Sequence, residues 1–430
     1  MMRIVDWKDS EGETYLEALQ KRQQATNREI EVKVRELLEE VKKKGNSAVL
    51  EMTATFDKAH LTEETMKVSS EEIEKAVNKV DKAYLKAIRR AQEKISRFHE
   101  RQRQLSWFEN PETGVTLGQK VTPLECVGIY VPGGTAAYPS SVLMNAVPAK
   151  VAGVERIVMT TPPDQEGKVN PVILAAAFIA GVDEIYKIGG AQAIGAMAFG
   201  TATLPKVDKI TGPGNQYVAT AKKMVYGQVD IDMIAGPSEI LVIADENADP
   251  AYVAADLLSQ AEHDELSSAI CITTNRLVAE KVLKQLERQL KKLERQAIAR
   301  KSMENYGGIW VVDSLEKAVS ISNRLAPEHL ELCVEKPFEL LEKIKHAGAI
   351  FMGHYSPEPL GDYIAGPNHV LPTEGTARFY SPLSVEDFVK KSSIISYTRE
   401  AMEKVADDVI LMAEEEGLQA HGQAIRIRRR

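Results

Sequence analysis

The chain has few cysteines, no long apolar run and no excess of positive charge. Its three cysteines, Cys126, Cys271 and Cys333, are far apart among 430 residues and lie in apolar, strand-like segments. This is typical of reduced core thiols in a cytoplasmic protein, with a nucleophilic Cys126 as the less favoured alternative. Lysine and arginine number 54 against 62 aspartates and glutamates, a net charge of −8. That balance argues against a general nucleic-acid binder.

No stretch approaches the roughly 18 consecutive apolar residues of a membrane-spanning helix, so no membrane segment is expected. The first residues become charged at once, and we expect no signal peptide. The basic end Arg426–Arg430 is interpreted as a solvated tail rather than a binding arm. A hydrophobic content of 44% and a charged content of 27% fit a globular protein. A chain of this length exceeds one ordinary core, so two or more domains are expected.

The first 108 residues are rich in charge and contain few of the glycine and proline residues that mark turns. Thr26 with Glu29, and Ser69 with Glu72, have the spacing of a capping box, which starts a helix. Apolar residues then recur at helical spacing and are expected to face inward: Ile30, Val34, Leu37, Leu38 and Val41, and later Leu85, Ile88, Ile95 and Phe98. Residues 1–108 are predicted to form a helical N-terminal region without evident chemistry.

From about residue 115, short β-branched runs alternate with helical patterns. The predicted strands are Val127–Val131, Arg156–Thr160, Glu184–Ile188, Asp208–Thr211, Glu239–Asp245, Ala269–Thr273, Trp310–Val312, Leu330–Val334 and Ala349–Met352. Alternation of this kind is typical of parallel sheets with helices on both faces, so the predicted fold class is α/β. The pattern gives two α/β units, near 129–238 and 239–375, and a mostly helical tail after 376.

Glycine-rich segments lie next to four of these strands: Tyr130-Val-Pro-Gly-Gly, Gly189-Gly-Ala-Gln, Thr211-Gly-Pro-Gly-Asn and Gly236-Pro-Ser. Ligands of parallel sheets bind beyond the carboxyl ends of strands, and helix N-termini there favour phosphate. The sequence has no G-x-G-x-x-G motif and no P-loop. Simple turn glycines, or a site for a nucleotide or another anionic ligand, are therefore both open.

Two short runs carry the sharpest polar signals. Gln260 and His263 are three residues apart near the end of a predicted helix, so both side chains leave one helical face. An amide oxygen and an imidazole are half of a metal site, and further ligands must come from elsewhere. Glu328 directly precedes His329 before a predicted strand, and a turn there allows both to serve proton transfers near neutral pH. The alternative is a capping glutamate and a hydrogen-bonded core histidine.

The remaining histidines divide by their surroundings. Asp362 and His369 share a glycine-rich loop, and His421 follows Glu416 near the chain end. The polar helical contexts of three histidines predict surface positions, namely His60, His99 and His346, whereas the loop position of His354 is compatible with either surface or core. The chain has no H-E-x-x-H and no G-x-S-x-G motif, which disfavours zincin proteases and α/β-hydrolases.

These motifs occur together in a recognisable order. They are Tyr130-Val-Pro-Gly-Gly, Gly189-Gly-Ala-Gln, Thr211-Gly-Pro-Gly-Asn, Ala235-Gly-Pro-Ser, Gln260-Ala-Glu-His, Ala326-Pro-Glu-His, Gly361-Asp-Tyr with Gly366-Pro-Asn-His, and Glu416-Gly-Leu with His421. In all of them the chain resembles the histidinol dehydrogenase family, over nearly its whole length. Eight ordered motifs make chance agreement implausible, and no departure is seen at a functional position.

The resemblance implies a zinc enzyme that ends histidine biosynthesis and converts L-histidinol, two NAD and water into L-histidine and two NADH. It implies two incomplete Rossmann-like domains, aldehyde-dehydrogenase-like overall, with small extra domains in an intertwined homodimer. NAD would bind residues 129–238, and zinc and substrate would bind 109–128 together with 239–375. The tail 376–430 would be exchanged between subunits.

The resemblance also assigns residues. Zinc would be held by Gln260, His263, Asp362 and His421, the last from the partner's tail. Glu328 and His329 would be the acid/base pair. The NAD site would be lined by Tyr130, Gln192 and Asn215. Substrate would contact the metal ligands and His329, joined by Ser238, His369 and Glu416.

The expected chemistry fits these residue types. Two imidazoles, a carboxylate and an amide oxygen suit zinc and tolerate manganese or cobalt. His329 would take the alcohol proton during the first hydride transfer, and Glu328 would activate water to attack the bound aldehyde. His329 would then deprotonate the hydrate during the second transfer. Two alternatives belong to other classes: a metal-dependent hydrolase without a redox cofactor, and a metal-binding or structural α/β protein.

Overall fold

The computed structural model describes residues 2–7, 10–23, 28–133, 137–234 and 236–429. Within these ranges, the strands are β1 (Arg3–Asp6), β2 (Trp107–Glu109), β3 (Val115–Pro123), β4 (Cys126–Tyr130), β5 (Arg156–Thr161), β6 (Glu184–Lys187), β7 (Lys209–Thr211), β8 (Asp230–Ile231), β9 (Glu239–Ala244), β10 (Ser268–Thr273), β11 (Gly307–Val311), β12 (His329–Cys333), β13 (Ala349–Met352) and β14 (Val389–Tyr397).

Helices connect and cover these strands. They are α1 (Ser10–Gln23), α2 (Arg28–Lys44), α3 (Asn46–Phe56), α4 (Glu63–Met66), α5 (Ser70–Lys79), α6 (Lys82–Glu100), α7 (Pro139–Ala152), α8 (Pro171–Ala180), α9 (Gly190–Phe199), α10 (Gln216–Val225), α11 (Pro250–Ala261), α12 (Arg276–Leu290), α13 (Gln296–Tyr306), α14 (Leu315–Leu325), α15 (Pro337–Leu341), α16 (Glu358–Leu360), α17 (Arg399–Glu415) and α18 (Gln419–Arg426). One π-helical turn spans Gly361–Ala365, and 3-10 turns span Thr376–Arg378, Val385–Phe388 and Ile427–Arg429.

Two parallel sheets organise the chain, as the α/β prediction requires. A five-stranded sheet has the order β6-β5-β4-β7-β8, and a six-stranded sheet has the order β1-β11-β10-β9-β12-β13. Successive residues of a strand enter different cores: Ile240 and Val242 of β9 pack on one face of their sheet, and Leu241 packs on the other. Because both faces are covered, these strands are almost continuously apolar, which explains why the sequence pattern located them.

The N-terminal region is helical after its first strand. The Ser69–Glu72 capping box is present, with Glu72 N–H donating to Ser69 Oγ and Ser69 N–H donating to Glu72 Oε2. Thr26, the first residue of the other predicted box, lies outside the described residues. The apolar face of α2 is buried as predicted, at Ile30, Val34, Leu38 and Val41.

Three expectations for the N-terminal region were wrong. Residues 3–6 form a strand, because β1 pairs in parallel with β11 at the edge of the six-stranded sheet. Phe98 is 40% exposed, and its neighbour His99, expected at the surface, is fully buried. His99 is held there by hydrogen-bond contacts of its ring with Gln102 and Asn368. Desolvation lowers the pKa of His99, so a neutral ring fits this position.

The tail contains a long strand that the sequence pattern missed. β14 pairs antiparallel with β3 over nine residues, and β2 completes a three-stranded sheet. Most residues of β14 are exposed, so the strand lacks the apolar alternation that identifies a half-buried strand. Within the segment 109–128, β3 therefore pairs with the tail, whereas residues 126–128 belong to β4 of the five-stranded sheet. The domain boundaries remain a prediction.

The cysteines occupy the environments expected of reduced thiols. All three are free, Cys271 and Cys333 are buried, and Cys126 is half-buried. Burial raises the pKa of Cys126 to about 11, which disfavours the thiolate that a nucleophile needs. In the described part of the chain, no helix is both long and apolar enough to span a bilayer.

Candidate active site

The predicted acid/base pair lies at the amino edge of the six-stranded sheet. β9 and β12 are parallel neighbours with His329 paired to Ile240, so Glu328 and Glu239 meet where the two strands begin. Helix α11 follows β9 and returns to this edge, where it ends at Ala261 and carries Gln260. The glycine-rich segments predict a ligand site at the carboxyl ends of strands, whereas this cluster lies at the amino edge of its sheet.

His329 has one ring nitrogen engaged and one free. Its Nδ1 lies 2.9 Å from the carbonyl oxygen of Glu239. A carbonyl oxygen only accepts, so Nδ1 carries the proton and Nε2 presents a lone pair. Nε2 is buried without a hydrogen-bond partner among the described residues, 3.9 Å from Glu358 Oε1. Burial lowers the pKa of His329 against the charge of Asp362, which keeps a neutral base with its lone pair directed into the site.

Glu328 is buried beside this ring. Its Oε2 accepts a hydrogen bond from the Glu239 backbone N–H at 2.9 Å and lies 3.6 Å from His329 Nδ1. Burial raises the pKa of Glu328 well above its ordinary value, although the backbone hydrogen bond acts in the other direction. The carboxyl of Glu328 therefore keeps its proton near neutral pH until a positive charge enters the site.

The π-helical turn after α16 brings Asp362 to the same place. Asp362 Oδ1 lies 3.6 Å from Nδ1 of His369. Burial alone would raise the pKa of Asp362, but the adjacent rings of His369 and His329, with Glu358, hold that pKa below its usual range. Asp362 is thus a carboxylate within a mostly neutral, buried set of groups.

Glu358 is a member of the site that the sequence did not reveal. One of its carboxyl oxygens lies within 4.8 Å of a ligand atom of His329 and of one of Asp362. Burial raises its pKa to about 10, with the negative charge of Asp362 adding to the effect. The four-residue spacing from Glu358 to Asp362 is the sequence feature that could have indicated a shared site. It was not recognised because Ser356-Pro-Glu-Pro has no helical or strand period, so no helix was predicted there.

Gln260 and His263 approach from α11. Gln260 is buried, and its Oε1 has no hydrogen-bond partner among the described residues. His263 lies just beyond the helix, with its N–H donating to the Gln260 carbonyl at 3.2 Å. His263 is exposed, yet partial removal from water lowers its pKa, against the nearby charge of Asp362. Ser238, half-buried, directly precedes β9 at the same edge.

The donor set fits a divalent metal. An orphaned buried amide oxygen such as Gln260 Oε1 is costly unless a cation or donor meets it. The ionised Asp362 and the neutral ring of His263 are the other ligand types that zinc accepts. These three predicted ligands lie at one edge, whereas His421 is exposed on α18, which packs on α17. No hydrogen bond or ion pair described within this chain joins His421 to them, and Glu416, the C-cap of α17, is likewise exposed.

A second polar cluster lies at the carboxyl edge of the five-stranded sheet. Tyr130, at the end of β4, accepts a hydrogen bond from the Gly190 N–H at 3.1 Å, and burial raises its pKa to about 12. Gln192 is buried in the first turn of α9, and its Nε2 has no described partner. Asn215 caps α10 by accepting from the N–H groups of Tyr217 and Val218.

A buried ion pair supports this second cluster. Lys222 pairs with Asp232 and donates to the Gly212 carbonyl at 2.9 Å, while the Gly212 N–H donates to Asp232 Oδ2 at 2.8 Å. Gly212 has φ +114°, which a side chain would oppose, so the loop after β7 requires glycine. Gly134 and Ala235 of the predicted motifs lie outside the described residues. The buried pair of Lys222 and Asp232 thus holds the backbone of the loop after β7 at Gly212.

Comparison with known proteins identifies the family to which this chain is similar. The family model described as histidinol dehydrogenase matches residues 20–429. Histidinol dehydrogenase of Geobacter sulfurreducens is 55% identical over 428 residues, covering 99% of this chain and 100% of that protein. The Listeria monocytogenes enzyme of that name is 56% identical over 400 residues, 93% of each chain. The crystal structure of histidinol dehydrogenase from Elizabethkingia anophelis superposes with a TM-score of 0.93 at 42% identity, covering 99% of this chain and 98% of that one. The chain therefore belongs to the histidinol dehydrogenase family.

Proposed function

We propose that the chain oxidises L-histidinol to L-histidine, the last step of histidine biosynthesis, through L-histidinaldehyde that stays bound. The balance is one L-histidinol, two NAD and one water giving L-histidine, two NADH and protons. The observation that carries the proposal is the buried, neutral ring of His329, whose Nε2 has no described partner and faces Glu358 and Asp362. Family membership favours this oxidation over the hydrolase alternative.

His329 acts as the general base in both oxidations. Its Nε2 takes the hydroxyl proton of the alcohol as hydride leaves the carbon for the first NAD. It takes a proton from the aldehyde hydrate as hydride leaves for the second. The Glu239 carbonyl supports this role because it fixes Nδ1 as the protonated nitrogen and stabilises the imidazolium that forms. Enclosure retains the aldehyde between the two steps, which limits competing reactions.

Glu328 activates the water that attacks the aldehyde. It must first lose its proton, and burial opposes that loss. A bound cation nearby would favour the carboxylate. Zn²⁺ held by Gln260, His263, Asp362 and His421 of the partner subunit would supply this charge and orient the imidazole and amine of the substrate. The exposure of His421 in one chain is consistent with its use by a second copy.

The proposed substrate contacts include residues at the amino edge of the six-stranded sheet, and the proposed cofactor contacts lie at the carboxyl edge of the five-stranded sheet. Ser238, His369 and Glu416 are proposed to join the metal ligands in substrate binding. Tyr130, Gln192 and Asn215 are proposed to line the NAD site, where the unpartnered Gln192 amide is available to a ligand. The contribution of His421 and Glu416 from a tail requires a homodimer. A cytoplasmic location remains a prediction.

One assay tests the proposal against its alternatives. The chain, loaded with Zn²⁺, is incubated with limiting L-histidinol and excess NAD while NADH absorbance is followed. Two NADH per L-histidinol are expected. A His329→Asn variant prepared in parallel controls for a contaminating dehydrogenase. A yield of zero NADH from a folded, metal-loaded protein refutes the proposal and leaves the hydrolase or a non-enzymatic metal protein.

A further inference from the structure

A carboxyl group from the N-terminal helices reaches the second polar cluster. Asp57 ends α3, where its N–H donates to the Thr53 carbonyl at 2.9 Å. Its Oδ1 lies 3.3 Å from the point that a Cβ on Gly189 would occupy, which places the carboxyl against the turn after β6. The negative charge of Asp57 also raises the pKa of Tyr130. Asp57 therefore faces the carboxyl edge of the five-stranded sheet.

In the described part of the chain, this carboxyl has no partner that explains its position. Oδ2 of Asp57 is buried without a hydrogen-bond partner among the described residues. Removal from water raises the pKa of Asp57 to about 6, and no cation opposes the shift. The adjacent Lys58 does not pair with it, because Lys58 Nζ donates to the Thr55 carbonyl at 2.8 Å. A buried, unsatisfied acceptor is costly, so a donor from a ligand would be stabilising.

The backbone around Asp57 is held in an uncommon conformation. Lys58 has φ +60°, in the left-handed region that non-glycine residues seldom adopt. This turn ends α3 directly over the sheet edge and directs the Asp57 side chain toward Gly189 and Pro162. Strained positions of this kind persist where the surrounding structure requires them, and they cluster at ligand sites.

Asp57 lies where dinucleotide-binding α/β units place an acidic residue. In dinucleotide-binding α/β units, an acidic residue beyond the second strand accepts hydrogen bonds from ribose hydroxyls. Here β5 follows β4, and it continues into Pro162 and Pro163. Asp164 is the next carboxylate, but its Oδ1 accepts the backbone N–H groups of Glu166 and Lys168, both at 2.9 Å. Asp164 is thus committed to a turn.

Asp57 is instead adjacent to the end of β5. A Cβ on Gly189 would lie 2.6 Å from Pro162 Cβ and 3.3 Å from Asp57 Oδ1, so the carboxyl, the residue after β5 and the turn after β6 share one space. We propose that Asp57 accepts hydrogen bonds from ribose hydroxyls of NAD and selects NAD over its 2′-phosphorylated form. The selectivity arises because a 2′-phosphate removes a hydroxyl donor and repels the carboxylate. The inference rests on the proposed use of NAD.

Calorimetric titration of NAD and NADP into the metal-loaded protein tests Asp57. Asp57→Asn keeps the shape and removes the charge, and Asp57→Ala removes both oxygens. NAD binding is expected to weaken by about 10- to 100-fold, as the loss of a charged hydrogen bond implies. The preference for NAD over NADP should fall in both variants. Glu51→Gln, which removes one exposed charge from the same helix, is the matched control and should bind as wild type.

The outcomes separate this inference from the proposed function. At saturating NAD, both Asp57 variants should still form two NADH per L-histidinol. If Asp57→Asn is folded and binds NAD and NADP with wild-type affinities, Asp57 has no such role and the proposed function stands. If the wild-type chain itself binds neither dinucleotide, the use of NAD and the role of Asp57 are both refuted. Circular dichroism and thermal unfolding establish that each variant is folded.

Discussion

The Glu239 carbonyl accepts a hydrogen bond from Nδ1 of His329 over 2.9 Å. The N–H of the same residue donates to Glu328 Oε2 at 2.9 Å. Glu239, at the start of β9, therefore orients both members of the acid/base pair through its own backbone N–H and carbonyl groups. Because β9 and β12 are hydrogen-bonded neighbours, the pair lies where these two strands begin, with His329 as the first residue of β12 and Glu328 directly before it.

Replacing His329 by Asn should slow both oxidations. Asparagine offers no basic nitrogen at the Nε2 position, so each hydride transfer loses its proton acceptor. General-base loss is expected to cost about 10²- to 10⁴-fold in rate. Single-turnover measurement of NADH from L-histidinol and from L-histidinaldehyde tests this. The exposed His60→Asn is the control and should retain wild-type rates. A selective effect on one substrate would contradict a shared base.

Replacing Glu328 by Gln should impair aldehyde oxidation more than alcohol oxidation. In the wild type, burial raises the pKa of Glu328, so the fraction of active carboxylate grows as pH rises. The single-turnover rate with L-histidinaldehyde should increase with pH, and the variant should lose that dependence. Stopped-flow NADH traces across neutral and alkaline buffers provide the measurement, with the alcohol step of the same variant as internal control. Equal rates for variant and wild type with both substrates would remove the water-activating role.

Glu331 should make the fold less stable at alkaline pH. Burial raises its pKa to about 9, and the Asp256 charge adds to the shift. The unfolded chain releases this proton near the ordinary carboxyl pKa while the folded chain retains it. Stability therefore falls as pH rises from about 4.5 toward about 9, by at most about 1.4 kcal/mol per pH unit.

A Glu331→Gln variant should flatten that decline. The amide cannot ionise, and its oxygen can still accept the Glu358 N–H, which donates to Glu331 Oε1 at 2.7 Å in the wild type. The gain in melting temperature over wild type should grow with pH, as measured by differential scanning fluorimetry. The exposed Glu342→Gln is the control and should leave the profile unchanged. A constant offset at every pH would show that Glu331 is ionised in the folded chain.

Replacing His421 by Ala should weaken zinc binding although His421 lies far along the chain from the other proposed ligands. Metal content after dialysis against a chelator tests this, with His60→Ala as control. Mixing His421→Ala with His263→Ala should restore about a quarter of wild-type activity after subunit exchange. That fraction follows because half of the dimers are hybrids, each with one intact site of two. Absence of recovery would place the complete site within one chain.

Removing the buried amine of Lys222 should destabilise the chain. Lys222→Met leaves Asp232 buried beside the Gly212 loop without its cation, which typically costs about 3–5 kcal/mol. Lys223→Met is the matched control, since Lys223 is exposed and its pair with Glu31 contributes about 0–1 kcal/mol. Urea unfolding of both variants measures the difference. Equal stability of the two would indicate that the buried pair contributes no more than the exposed one.

Apolar periodicity located nine strands of the two parallel sheets because both faces of those strands are covered. It missed β1 and β8, which have four and two residues at sheet edges, and the three strands of the antiparallel sheet, of which β14 is mostly exposed. The polar helical neighbours of His99 predict a surface position for this residue. Its burial depends on Asn368, 269 positions away, which no local pattern encodes.

The sequence by itself determined the α/β class, the family and the residue types available for chemistry, since these follow from apolar patterning and ordered motifs. Only the tertiary structure decided how those residues meet. It placed Glu358 beside His329, brought Asp57 to the ends of β5 and β6, and left His421 exposed on α18. Such proximity, and the pKa shifts that burial produces, depend on contacts between distant segments. They arise when β9 and β12 pair and when α3 packs against the five-stranded unit, and neither event has a local signature.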